Sequence, residues 1–414
     1  MTRVSARPQY DAVGGLDPRP GLEPQFAFAL VKLTYEIKGT TAVPSQPEPL
    51  LFDLWSDEKL EPRFPPGSDF WLDKQYSDVV IRGSAFAPGG RPTPSMFVSA
   101  QVGRAAKRIA VFGKRLVEWI QGAPRLGRPE PFTEMPLLYQ NAYGGLDNRV
   151  PIPAQLLQDY MRTVALGLQF DHPGLYPRNP VGKGYLVLPD PIDGVELPNL
   201  EDPADMLTTE RLCTRKPELW YRQPLPWCFE WTVGLTFPRY LFVGVDAWYP
   251  SPDDAGLPEV RRGFIPAQLR GRLEKDRDLA AGYLQEASLG MVVTTPLAGQ
   301  PITLTGMHPE EPTITFTVPP APSIEIEVEG DRAARLPLLT NLVIFPAEKK
   351  FTAVYCAKTS GLQRVFIPGI HKNIPIAARI NRDAPIRYQS PPTIHDRLLA
   401  AGAASPGRGA ASGG

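Results

Sequence analysis

Residues Phe26 to Ile37 read Phe-Ala-Phe-Ala-Leu-Val-Lys-Leu-Thr-Tyr-Glu-Ile. Phe26, Phe28 and Leu30 alternate with alanines. Val31, Leu33, Tyr35 and Ile37 then alternate in the opposite phase. A period of two is the signature of a strand, and the slip at Leu30–Val31 predicts a β-bulge or a break between two strands. Outward from this stretch the chain repeats the pattern. Leu50–Trp55, Asp78–Ala87, Met96–Val102, Arg108–Phe112 and Leu116–Ile120 are short apolar runs separated by Pro, Gly or basic residues. Near the other end, Ile314, Phe316 and Val318 alternate with threonines, and Ile324, Ile326 and Val328 alternate with Glu325, Glu327 and Glu329. Leu342–Phe345 and Phe351–Ala357, joined by Pro-Ala-Glu-Lys-Lys, read as a hairpin.

Helical spacing is strong in one place. Across Ala154–Leu168, the apolar residues Leu156, Leu157, Tyr160, Met161, Val164, Ala165 and Leu168 fall on one face. Pro266–Ala281 is weakly helical and charged. The expected fold is mainly β with a few helices, a β-rich α+β arrangement. Its architecture is a large antiparallel sandwich or a two-lobed sheet. Residues 1–24 read as a flexible arm, 25–390 as one β-rich domain with a helical insertion at about 148–177, and 391–414 as an Ala/Gly/Ser-rich, largely disordered tail.

Composition narrows the function. Forty-four basic and 44 acidic residues leave no net field, so a nucleic-acid partner is not expected. Proline is abundant, at 49 of 414 residues, and spread along the chain, which implies many strands joined by rigid turns. Three cysteines without paired spacing argue against a disulfide framework. No apolar run reaches the ~18 residues of a membrane span. With no basic leader followed by an apolar run, a soluble, cytoplasmic protein without membrane insertion is expected.

Signatures of chemistry are sparse. His172, His308, His371 and His395 stand apart, with no second ligand at zinc spacing, and no metal or other cofactor is expected. Gly182-Lys183-Gly184 lacks the flanking residues of a phosphate loop. Ser56-Asp57-Glu58-Lys59 fits Ser-x-x-Lys, but charges and prolines follow it where a buried helix is required. A pair of catalytic carboxylates would be spaced by the fold and invisible here, so a hydrolase stays open as an alternative.

Pro131–Asp147 reads Pro-Phe-Thr-Glu-Met-Pro-Leu-Leu-Tyr-Gln-Asn-Ala-Tyr-Gly-Gly-Leu-Asp. Pro136 forbids a regular helix, and Gly144 and Gly145 permit positive φ or close backbone approach. Tyr139 and Tyr143 offer apolar area with a polar tip, on a loop stiffened by prolines, either as a partner-binding surface or as core. Trp220, one of four tryptophans between Pro217 and Pro250, has the same two readings. Glu325 and Glu327 either guard an edge strand against pairing or face a basic partner.

Pro131–Asp147 resembles the signature of a bacterial family of unknown-function domains encoded beside type VI secretion spike genes (VgrG and PAAR). Further blocks follow in that family's order. They are Ser68-Asp69, Lys74, Asp78 with Gly83-Ser84-Ala85, Gly113-Lys114-Arg115, Asn179-Pro-Val-Gly182-Lys-Gly184-Tyr185, and Leu197-Pro-Asn-Leu-Glu201. The resemblance spans roughly Gln25–Ala357. The usual Gly-Thr-aromatic-Asp segment is present only as Gly244-Val245-Asp246-Ala247-Trp248, and Asn148–Pro177 looks inserted. The resemblance implies an adaptor or chaperone without catalytic residues. Such a protein would bind a toxic effector and help load it onto the VgrG–PAAR spike. It also implies structural roles for Pro136, Gly144, Gly145, Asp147, Asn179, Gly182 and Gly184. A structural part of a contractile injection machine is a third reading.

Overall fold

The structure, a computed structural model, describes residues 10–16, 27–50, 69, 74, 76–151, 174–176, 178–179, 181–188, 192–215, 220, 222–231, 287–288, 290–328, 331–335, 337–359, 376–380 and 384–386. The helix expected at Ala154–Leu168, the charged stretch Pro266–Ala281, residues 51–55, Trp248 and the tail beyond 390 lie outside the described residues.

In chain order the strands are β1 (Tyr10–Leu16), β2 (Ala27–Lys38), β3 (Thr41–Pro44), β4 (Ser77–Ile81), β5 (Ser84–Phe86), β6 (Ser95–Val102), β7 (Ala105–Phe112) and β8 (Val117–Ile120). Then come β9 (Ala123–Leu126), β10 (Glu134–Pro136), β11 (Tyr143–Gly144), β12 (Lys183–Gly184), β13 (Leu200–Glu201), β14 (Val292–Val293) and β15 (Pro301–Thr305). The rest are β16 (Thr313–Thr317), β17 (Ile324–Val328), β18 (Asp331–Arg335), β19 (Leu338–Phe345), β20 (Lys350–Lys358), β21 (Ile376–Ile380) and β22 (Ala384–Ile386). Among the described residues, helix is confined to single 3-10 turns at Pro88–Gly90, Tyr139–Asn141 and Thr209–Arg211. The fold is β-rich, as the alternation predicts.

A seven-stranded sheet runs β1-β2-β20-β19-β4-β14, with β3 folded back on β2. The β19–β20 hairpin forms as expected, turning through Pro346–Lys349. The sheet is mixed rather than purely antiparallel, because β4 lies parallel to β19, with Asp78 opposite Asn341. The phase slip in β2 is neither a bulge nor a break. Phe28 through Glu36 pair with Lys358 through Lys350 in unbroken register. Both faces of β2 are buried as far as Thr34. Phe28 and Leu30 pack with Leu50, Val354 and Cys356, while Ala29, Val31, Tyr35 and Ile37 face the main core. A strand buried on both sides needs no polar alternation. The irregularity sits instead in β19, where the register against β20 shifts between Leu339 and Asn341. Asp78–Ala87, expected as one strand, divides into β4 and β5 at Arg82-Gly83. Part of the expected N-terminal arm is a strand, since β1 pairs along β2.

A five-stranded antiparallel sheet, β13-β7-β6-β15-β16, covers the inner face of the first. Val98, Ala100, Ile109, Val111, Ile302, Leu304, Ile314 and Phe316 belong to the same core cluster as Val31, Tyr35 and Phe351. A stack of three rings crosses between the sheets. Tyr35 and Phe316 each lie 4.9 Å from Phe351, nearly parallel to it. The remaining large sheet is β18-β17-β21-β22. There β17 is paired on both sides, so its glutamates do not guard an edge. Glu325 stands in register with Arg379, and Glu327 with Arg332.

Charge is buried where the ends of the chain meet. Lys74 and Asp78 are ion-paired at 2.7 Å with fully buried side chains, and the Lys74 ammonium also donates to Asn341 Oδ1. Lys32, within the apolar run of β2, pairs with buried Asp69 at 2.8 Å and donates to the Pro49 carbonyl. Removing one partner strands the other charge away from water. Asp78→Ala is therefore expected to lower unfolding stability in urea by about 3–5 kcal/mol. Glu36→Ala, which opens the exposed Lys38–Glu36 pair, is expected to leave it nearly unchanged.

Candidate functional site

The sequence blocks within 131–147, 179–185 and 197–201 converge in one place. β11 and β12 lie parallel, so the Gly144-Gly145 and Gly182-x-Gly184 segments touch backbone to backbone. The Lys183 amide donates to the Ala142 carbonyl at 3.0 Å, Tyr185 to Gly144 at 2.9 Å, and Gly145 to Asn179 at 2.8 Å. Ala142 also bridges to Leu200 of β13, which carries the junction into the five-stranded sheet.

Glycine is required by two separate constraints at the crossing. Gly144 has φ of 147° and Gly145 of 93°. A Cβ on Gly144 would lie 2.2 Å from the Asn179 carbonyl oxygen, and one on Gly145 2.2 Å from that of Gly182. Gly182 and Gly184 are pressed in the same way, against Ala142 O and the Pro198 ring.

Buried side chains take over where backbone pairing stops. Asn179 Nδ2 donates to the carbonyls of Tyr139 at 2.8 Å and Tyr143 at 3.0 Å. Asn199 Nδ2 does the same for Phe112 and Gly113, each at 3.0 Å. Arg115 donates to the Pro198 carbonyl and to Glu201, whose other oxygen accepts the Leu207 amide at 2.7 Å. Asn141 Nδ2 caps the Pro136 carbonyl at the end of β10. Asp147 accepts from the Arg149 side chain and amide and from the amides of Val187 and Leu188. Burial alone would raise the Asp147 carboxyl, but these donors outweigh it and hold it below its ordinary range.

The aromatic partner candidates lie inside. Tyr139 is 2% exposed in the main core and Tyr143 is 1% exposed in a second core. Tyr143 meets Tyr176 edge-on at 5.3 Å, and Tyr176 meets Trp220, itself buried, at 6.1 Å. These three residues correct the surface reading: they fold the loop and present nothing to a partner. The ambiguity had a physical source, because a tyrosine with apolar body and polar tip serves equally well inside once its hydroxyl finds an acceptor. Here Tyr143 donates to Gln223 Oε1 at 3.1 Å and Tyr176 to the Pro224 carbonyl at 2.9 Å. Glu325 is half-buried on β17, away from this junction.

Some buried groups carried little signal in sequence. Arg178 is fully buried, with its guanidinium 5.1 Å from the Trp220 ring. Its place directly before Asn179 was the available hint. Lys107, on the inner face of β7, donates to Ser288 Oγ at 2.9 Å and lies 4.1 Å above the Trp227 ring. Burial pushes the Lys107 ammonium down to about 7 and the neighbouring Cys228 thiol up to about 12. The lysine interrupts an apolar strand, as Lys32 does in β2. All three cysteines are free thiols. Among the described residues, no group of three or more His, Cys, Asp or Glu is placed to hold a metal ion, and no helix is long and apolar enough to cross a membrane. A cleft of about 170 Å³ opens beside β14, lined by Tyr76, Val293, Pro296, Leu297, Leu339 and Tyr355. Its size suits one side chain more than a small-molecule ligand, whose sites run to roughly 300–1,000 Å³.

Stability measurements on two junction variants and one control check this arrangement. Gly144→Ala is expected to cost about 3 kcal/mol or more, strain and overlap together. Gly89→Ala, at positive φ but in open space, is expected to cost about 1–2 kcal/mol. Tyr143→Phe is expected to cost about 1–3 kcal/mol by leaving the buried Gln223 acceptor unmatched, with no loss of cooperativity in the melt.

A family model described as "Uncharacterized protein conserved in bacteria (DUF2169)" matches residues 24–355, well over half of the chain. No curated protein and no solved structure matches it.

Proposed function

We propose that this chain, which belongs to that bacterial family, is a binding adaptor rather than an enzyme. In this reading it holds a toxic effector in the donor cytoplasm and helps load it onto a VgrG–PAAR spike. One observation carries the reading. The side chains of the sequence blocks are spent within the fold: Asn179, Asn199, Glu201 and Arg115 are buried and each bonds the backbone or a side chain of another block, while buried Asp147 holds the Val187 amide just beyond one. Such a junction supports a rigid scaffold and leaves recognition to the surface.

The net charge of zero gives long-range steering little part in capture. Affinity then comes from local apolar contacts and hydrogen bonds. Phe97, 48% exposed beneath the Arg108 guanidinium, Ile120 and Met206 are the exposed large apolar side chains among the described residues.

Affinity purification of the tagged chain from its own bacterium tests the proposal. A secreted toxin and a spike protein should co-purify, and retention should change little between low and raised salt. Deleting the gene should stop delivery of that toxin. Recovery of neither protein, or turnover of a glycoside or ester by the pure chain, would overturn the reading. A steep loss of retention with salt would place the contact on charged patches instead.

A further inference from the structure

We infer that the free edge of β16 takes up an extended segment of a partner protein as a sixth strand of the five-stranded sheet. β16 reads Thr-Ile-Thr-Phe-Thr and, among the described residues, pairs with β15 alone. The hydrogen bonds show which way each residue faces. The Val318 amide donates to Gln300 and the Gly306 amide to Pro312, so the even-numbered residues of β16 bond toward β15. Odd-numbered residues bond outward. The Thr317 amide confirms this by donating away from β15, to the Thr40 carbonyl at 3.2 Å. Thr313 and Thr315 thus direct their amides and carbonyls past the edge of the sheet.

Several other edges with described side chains are guarded. β14 and β13 are two residues long, β3 ends in Pro44, and β9 contains Pro124. Short strands, prolines and charges are the usual protection against stray pairing. β16 contains neither a proline nor a charge along its five residues. Its outer face continues two uncharged polar rows over β6, β15 and β16, Gln101–Thr303–Thr315 and Ser99–Thr305–Thr313, the second meeting Arg108 only on distant β7. An incoming strand with small hydroxylated or β-branched side chains extends both rows without placing a charge among them.

A second copy of this chain fits the edge less well than a partner segment. Two-fold pairing that uses both Thr313 and Thr315 centres on Ile314 and sets Thr313 against Thr315 of the other copy. Pro312 at one end and the β2–β3 turn at Thr40 at the other confine that overlap to a few residues. A stable interface needs roughly 1,200–2,000 Å². A partner's segment is free of the symmetry and draws further contact from its own flanks. Strand addition gives affinity through backbone bonds, whatever the partner's side chains.

The inference is independent of the secretion reading, and its test uses a neutral probe on the full chain. The probe is a blocked peptide of alternating threonine and valine, and amide hydrogen exchange is followed at residues 313–317. At about 1 mM peptide, exchange at Thr313 and Thr315 should slow by roughly tenfold. Thr315→Pro removes an outward amide that β15 does not use, so the sheet should hold while protection disappears. Thr315→Lys places a charge on the edge and should abolish protection too, which keeps the test decisive if the proline variant fails to fold. Unchanged exchange in the wild type, or protection that survives both variants, would overturn the inference. A doubled mass in solution that Thr315→Lys returns to monomer would overturn the choice of occupant in favour of a second copy. Peptide uptake at β16 without capture of any secretion protein would sink the adaptor reading and leave this one standing.

Discussion

Lys74, deprived of water, keeps its charge beside a carboxylate, and this pairing governs how the two ends of the chain join. Lys74, Asp78 and Asn341 meet where β4 lies parallel to β19. Parallel pairing gives no hairpin to set the register. Sliding β4 by one residue would turn Asp78 to the wrong face and leave the ammonium buried alone, at a cost of several kcal/mol. The shift in β19 between Leu339 and Asn341 lies beside this contact. Lys32 and Asp69 repeat the arrangement across β2. These pairs contribute less through net attraction than through the penalty they impose on every other register.

The strands were the legible part, because period-two alternation is a local property. Met96–Val102 and Phe351–Ala357 lie wholly within β6 and β20. Where local pattern misled, the cause was non-local. The slip at Leu30–Val31 looks like a bulge only if one face of β2 is wet, and the packing of Leu50, Val354 and Cys356 on the second face removes that premise. The glutamates of β17 looked like edge protection because strand order cannot be read from a strand's own residues. Glycine crowding at 144 and 145 was legible, since few other causes put two glycines beside aromatics and prolines. The inward direction of Tyr143 was not, since its hydroxyl depends on Gln223, some 80 residues away.

The family match over residues 24–355 coincides with the stretch in which these contacts occur. Asn179 and Asn199 show what the sequence blocks accomplish within it. Each spans a turn by offering its amide to two carbonyls, replacing a strand where the chain is too bent to supply one. The glycines let the backbones approach closely enough for the amides to reach. An alanine anywhere in this set leaves a buried carbonyl unmatched or a backbone displaced, so the block behaves as one unit.

The strand order β1-β2-β20-β19-β4-β14 also bears on how the chain reaches its fold. β2 cannot find β20, nor β4 find β19, until nearly the whole matching region has left the ribosome. The sides of β2 and β4 that later meet β20 and β19 wait unpaired through most of synthesis. High contact order of this kind slows folding and lengthens exposure to aggregation. A ribosome stalled before Leu338 would release a chain lacking the two strands that its main sheet is built around. Such fragments belong to the quality-control machinery of the cell, not to a smaller working version of the protein.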